Sequence, residues 1–185
     1  DDETEKACAV SVISNADLSG SDLYQNRVIV RHDYTTGYTT NANLATADNG
    51  DADIKYSVSG NNLTLDSAQE LFIWSGDIYQ PGGNVTTADL DIRGTLTAGA
   101  NTFNVSGNYS NSGTFTYNTS TLNFNGTSAQ TIDPGSNQVY NLTVNNSGST
   151  DTVTLNNNTL TVNGVTAITD GQLVLTQNTT FNDNI

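Results

Sequence analysis

Asp48-Asn49-Gly50-Asp51-Ala52-Asp53 sets three carboxylates and an amide carbonyl around a glycine within six residues. Hard oxygen donors at that density can curl around Ca²⁺, and Asp48, Asp51 and Asp53 are the residues that would ligate it. The segment lacks the Glu that closes a helix–loop–helix calcium site and the glycine-rich nonapeptide of calcium-binding β-rolls. A solvated acidic turn is the plainer reading, and no other cofactor is expected.

Asp89, Asp91 and Arg93 alternate with Leu90 and Ile92. On a strand the three polar residues would share one face. Two carboxylates flanking a glycosidic bond can hydrolyse a polysaccharide, whereas an exposed Asp–Arg pair on a wet face does little. His32, the sole histidine, precedes Asp33. Adjacent strand residues point to opposite faces, so these two do not by themselves form a catalytic dyad. The stretch LFIWSGDIYQPGG carries Phe72, Trp74 and Tyr79. Aromatics can stack on sugars, but Leu71 and Ile73 occupy the alternate positions, as in a strand buried on both sides. Sequons begin at Asn62, Asn84, Asn104, Asn108, Asn118, Asn125, Asn141, Asn145, Asn157 and Asn178. Their outward strand positions would tolerate surface glycans. No catalytic residue is expected, and the chain reads as a non-enzyme.

The wider composition excludes several classes. The 185 residues carry 19 acidic and 5 basic side chains, a formal charge of −14, yet only 13% are charged. Asn, Thr, Ser and Gly make up nearly half of the chain. A nucleic-acid surface needs clustered Lys and Arg, so no nucleic-acid partner is expected. No apolar run is long enough to insert into a membrane. The absence of methionine and of an apolar leader points to a processed segment. Cys8, alone, is read as a buried small hydrophobe or as one half of an intermolecular bond.

All five basic residues and fifteen of the nineteen acids precede Gly94. Beyond it the sequence repeats. NTFNVSGN from Asn101, STLNFNGT from Ser120, YNLTVNNS from Tyr140 and NTLTVNGV from Asn158 each place two apolar residues two apart. The pairs Phe103/Val105, Leu122/Phe124, Leu142/Val144 and Leu160/Val162 recur every 18 to 20 residues, with Leu63/Leu65, Val85 and Phe181 near the same phase. A second set comprises Leu90/Ile92, Phe115/Tyr117, Val153/Leu155 and Leu173/Leu175. Helical repeats run longer and want a 3.6-residue period, and an antiparallel sandwich gives no reason for one fixed interval. The expected fold is all-β: a parallel β-solenoid of about 20 residues per rung over residues 61–185, behind an irregular, acidic, β-rich N-terminal segment 1–60 that caps or assembles.

GTLTAGANTFNVSGNYSNSGTFTYNTSTLNFNGTSAQTI and NLTVNNSGSTDTVTLNNNTLTVNG resemble the arrays of repeat-rich bacterial secreted and cell-surface β-helix proteins, the autotransporter-like and filamentous-haemagglutinin-like proteins. The resemblance covers about Asn61 to Ile185 and implies an extracellular structural or adhesive role. A solenoid's terminal rung presents unpaired backbone groups, and LVLTQNTTFNDNI runs on in repeat style without a polar cap. Two expectations follow: either more rungs continue the array, or a second copy covers the edge and the chain self-associates head-to-tail into a homopolymer.

Overall fold

The computed structural model describes residues 7–12, 26–32, 37–48 and 54–183. It is a β-solenoid of about six coils whose strands stack at intervals of about twenty residues. Each coil visits three faces. The first face is an eight-stranded sheet of β1 (Ala7–Val12), β2 (Arg27–His32), β5 (Glu70–Ile73), β8 (Leu90–Ile92), β11 (Tyr109–Asn111), β14 (Gln130–Asp133), β16 (Thr152–Leu155) and β19 (Gln172–Leu175), in that order. The second stacks β3 (Tyr56–Ser59), β4 (Asn62–Leu65), β7 (Val85–Thr87), β10 (Thr102–Val105), β13 (Thr121–Phe124), β15 (Asn141–Asn145) and β18 (Thr166–Asp170). The third is shorter: β6 (Ile78–Tyr79), β9 (Thr95–Thr97) and β12 (Thr114–Thr116), then β17 (Leu160–Val162) beside β20 (Thr179–Phe181). Every pairing between described strands is parallel except β3–β4, which is antiparallel.

Alternation decides what each strand buries. In β10 and β13 the pattern places Phe103, Val105, Leu122 and Phe124 inside, while Thr102, Asn104, Thr121 and Asn123 look outward. Leu63, Val85, Phe103, Leu122 and Leu142 form one inward column by register, and Leu71, Leu90, Tyr109, Ile132, Leu155 and Leu175 form another. Full burial of each such side chain contributes about 1.5–3 kcal/mol.

The chain's phase departs from the repeat alignment in two places. Leu160/Val162 and Phe181 stack on the third face, with Val139 bridging Val162, while Thr166 and Ile168 take the next second-face positions. Phe115 likewise belongs to the third face, aligned with Leu96, rather than to the Leu90/Ile92 column, which continues through Tyr109 and Asn111. All three faces use the same apolar–polar alternation, so the spacing alone cannot distinguish one face from the next when coil length varies.

The N-terminal residues also join the solenoid. β1 and β2 extend the first face, and α1 (Asn41–Asp48), which the sequence pattern does not signal, lies against β3. Its start is a capping box. The N–H of Asn43 donates to Thr40 Oγ1 at 3.2 Å, and the Thr40 N–H donates back to Asn43 Oδ1 at 2.8 Å. Leu44 is fully buried, and the Tyr56 hydroxyl donates to its carbonyl at 3.0 Å. Buried Asn41 ties the helix to the first coils, donating to the Asn61 carbonyl at 2.6 Å and accepting from the Tyr79 hydroxyl.

Asparagine's abundance has a cause the corners alone do not supply. Positive φ accounts for only Asn26, Asn118 and Asn157 among the described asparagines. More often the side-chain carbonyl accepts a backbone N–H from a neighbouring coil. Asn62 takes that of Asn84 at 3.0 Å, Asn84 that of Thr102 at 2.9 Å, Asn108 that of Thr131 at 2.9 Å and Asn141 that of Val165 at 2.9 Å. These bonds fall beside strand starts, where a backbone donor would otherwise lack a partner. Glycine meets a different need at the corner after β8 and β11. A Cβ on Gly94 would overlap the carbonyls of Trp74 and Asp77, and one on Gly113 would overlap the carbonyl of Gly94.

Candidate functional site

Among the described residues, charge concentrates on the outer side of the first face, at β2, β5 and β8. Register brings Arg27 beside Glu70, and Ile29, Phe72 and Asp91 into one outward column. Arg27 pairs with Glu70, Arg93 Nε lies 3.1 Å from Asp91 Oδ2, and Arg31 Nε lies 3.9 Å from Asp77 Oδ2. The Phe72 ring sits between two guanidinium groups, Arg27 at 4.8 Å and Arg93 at 5.0 Å from its centroid. Trp74 packs edge-on against Phe72 at 5.8 Å, with the Arg31 guanidinium 5.1 Å from its ring. Contacts of this kind contribute about 0.5–2 kcal/mol each, more as they lose water.

The Asp89-Asp91-Arg93 segment therefore does not form the solvated face expected of it. Asp91 is buried, Asp89 accepts the Asn108 N–H, and only Arg93 is well exposed. The reason is the neighbouring strand: Phe72 occupies the adjacent outward position and carries both arginines over the sheet. The aromatic segment is buried on both sides of its strand, as the alternation suggests. Leu71 and Ile73 are fully buried inside, Phe72 is 3% exposed outside, and Tyr79 is fully buried.

Burial pushes the Glu70 carboxyl above its ordinary value of 4.5, against the lowering by Arg27 and with help from Asp91 and Asp89. A raised pKa beside other carboxylates is the electrostatic layout of an acid–base pair. Here each carboxylate is already engaged, Glu70 by Arg27, Asp91 by Arg93 and Asp89 by backbone, and Phe72 offers no open ring face. The arrangement is a clamp that ties three successive coils together. Asp133 is shifted the opposite way. Burial alone would raise it, but hydrogen bonds from Asn157, Asn158 and the Gly135 N–H outweigh burial and hold it below 3.8.

These shifts have opposite consequences. A group raised on folding stabilises the fold below its unfolded value and loses that contribution as pH climbs through the folded value. For Glu70 the loss starts at 4.5 and runs upward, whereas the Asp133 contribution is present above 3.8 and is lost on acidification. The melting temperature of the parent relative to Glu70→Gln should therefore fall as pH rises from 4.5. A difference that stays flat, or that rises with pH, would contradict the burial assigned to this carboxyl.

The other sequence candidates fall only partly within the described residues. Asp48 ends α1, and Asp51 and Asp53 lie outside the described residues, as does Asp33 beside His32 at the end of β2. Among the described residues no three His, Cys, Asp or Glu side chains are grouped to hold a metal ion. Cys8 lies in β1, in register with Val28. Of the sequon asparagines, Asn104, Asn141 and Asn157 donate their Nδ2 to Thr86, Thr121 and Asp133. A glycan on any of the three would displace that bond.

The second candidate is the last coil. β18, β19 and β20 each have a strand partner on one side only among the described residues. Ile168 aligns with fully buried Val144 yet is 50% exposed, and Leu175 aligns with fully buried Leu155 yet is 44% exposed. The inward columns thus emerge at this end as apolar side chains bordered by unpaired backbone, a surface suited to strand addition. Sequence reasoning located this edge, but it missed the clamp around Phe72, whose only trace was the crowding of arginine into the first half. Comparison of the chain with protein-family profiles, with curated proteins and with solved structures returns no match.

Proposed function

We propose that this chain is an extracellular structural protein, a subunit of a cell-surface fibre or filament assembled head-to-tail through open solenoid edges. The observation that carries the reading is the last coil, with Ile168 and Leu175 exposed where the coils behind bury their counterparts. Strand polarity supports it: β1 runs parallel to every other strand of the first face, so β19 of one copy beside β1 of the next continues that face without reversal. Ladders of parallel backbone bonds around an aliphatic interior make a stiff rod, and the neutral Thr/Asn coat keeps it hydrated. Its partners are further copies of itself, with surface glycans on free sequons and with neither nucleic acid nor membrane insertion.

A second reading, the stalk or adhesin segment of a larger surface protein, is favoured by the other end. There the second face ends in the antiparallel β3 with α1 against it, a polarity that a parallel strand from another copy would not continue. A polysaccharide-active enzyme is the third reading and has only the engaged carboxylates in its favour.

Light scattering and negative-stain imaging at micromolar concentration separate these readings. The fibre reading expects concentration-dependent linear oligomers in the parent and monomers in the double variant Ile168→Lys/Leu175→Lys, both substitutions being at exposed positions. Uniform parent monomers at every concentration would overturn it and leave the stalk.

A further inference from the structure

The outer side of the second face carries a regular array of uncharged polar side chains. Register aligns Asn62, Asn84, Thr102, Thr121 and Asn141 in one outward column and Thr64, Thr86, Asn104, Asn123 and Thr143 in a second. Five coils therefore present ten side chains, all Asn or Thr, with neither charge nor aromatic ring among them. Coils repeat about every 4.8 Å along the rod, and the two columns stand about 6.6 Å apart along each strand.

Seven of the ten side chains take part in hydrogen bonds. Asn123 donates to Asn104 Oδ1 at 2.8 Å, Asn104 to Thr86 Oγ1 at 3.4 Å, and Asn141 to Thr121 Oγ1 at 3.3 Å. Asn62 and Asn84 are pinned by backbone N–H groups of the adjacent coil. These bonds run between coils, so each fixes its asparagine side chain, as donor or acceptor, on the same grid as the backbone ladder.

A rigid, uncharged grid of this kind has little use for a flexible polymer, which would want a groove, charge or stacking rings. It suits a ligand that is itself a planar lattice. Water in ice is such a lattice, and its second-neighbour oxygen spacing is close to the coil repeat. Methyl, hydroxyl and amide groups at fixed intervals order the water between them, and the ordering cost is already met by folding. We infer that the Asn/Thr grid on the second face binds the surface of ice crystals. The array stops at the last coil, where Val165 and Ala167 take the two column positions and the register shifts after Val144. The inference needs only the folded solenoid and is independent of the fibre reading.

Partition into slowly grown ice tests it, with the whole chain labelled and the fraction frozen in compared with the fraction left in liquid. The parent should be enriched in ice several-fold over Thr121→Lys and Thr102→Lys, which place a solvated charge in the middle of the grid. Thr95→Lys, the same change on the third face, should partition like the parent. Circular dichroism and melting curves establish that each variant is folded, and Thr102→Lys carries the test if Thr121→Lys is not. A parent excluded from ice, or enriched no more than the grid variants, overturns the inference. Retention of the parent on crystalline chitin or cellulose with exclusion from ice overturns it in favour of a polysaccharide surface.

Discussion

Phe103→Ala should lower the unfolding free energy by about 3–5 kcal/mol, the cost of deleting a large buried aromatic together with the cavity it leaves. Phe103 is fully buried where all three faces of one coil contribute an aromatic ring. Phe103 comes from β10, Tyr109 from β11 and Phe115 from β12, with the Phe103 and Tyr109 centroids 6.3 and 6.2 Å from Phe115, both edge-on. Above and below, Phe103 is flanked in register by Val85 and Leu122. Its removal opens the interior of the coil and weakens both stacking interfaces, and in a solenoid stability is close to a sum over such neighbours. Phe103→Leu, which keeps most of the volume, should cost much less. Urea titration of the three proteins measures the difference. Indistinguishable midpoints for parent and Phe103→Ala would mean the three rings do not meet inside one coil.

The second large effect is expected from a polar residue. Gln130→Leu should destabilise by about 3 kcal/mol although leucine is apolar and similar in size, because it takes the side-chain partner from the Gly126 N–H and the Gly107 carbonyl and leaves the Val105 carbonyl only its bond from the Asn125 N–H. Gln130 is 1% exposed and points inward at the corner between the second and first faces. Its Nε2 donates to the carbonyls of Val105 and Gly107, and its Oε1 accepts from the Gly126 N–H and from Asn146 Nδ2, both at 3.0 Å. Asn146, fully buried, passes a further bond to the Ser128 carbonyl at 2.6 Å. Chemical denaturation gives the stability change, and hydrogen exchange at the Gly126 amide gives its location. Unaltered protection of that amide in Gln130→Leu would show that the side chain is not what holds the corner.

Leu122 and Phe124, two apart and flanked by Thr121 and Asn123, show how much of this was legible. Alternation assigns the inward pair, recurrence every twenty residues or so assigns a solenoid, and both hold. NTLTVNGV shows the limit. It matches the motif of its predecessors, yet Leu160 and Val162 belong to another face, because the connection before them is long enough to carry the chain around a corner. Gln130 reads as one more surface amide until the corner is built, and nothing in NANLATAD marks the helix whose start is tied by Thr40 and Asn41 and whose middle is tied by Tyr56.

The Phe72 clamp belongs to the same class. Arg27, Glu70, Asp91 and Arg93 are scattered along 67 residues, and only parallel stacking with its register makes them neighbours. Local alternation and a period near twenty residues are properties of single segments, set by which side of a strand can leave water, so composition and spacing determined the all-β solenoid and the wet Thr/Asn coat. Which face a segment joins, which buried amide completes a corner and which charges meet depend on coil length and register. Those are settled only when distant strands compete for the same backbone bonds, and that competition exists only in the folded molecule.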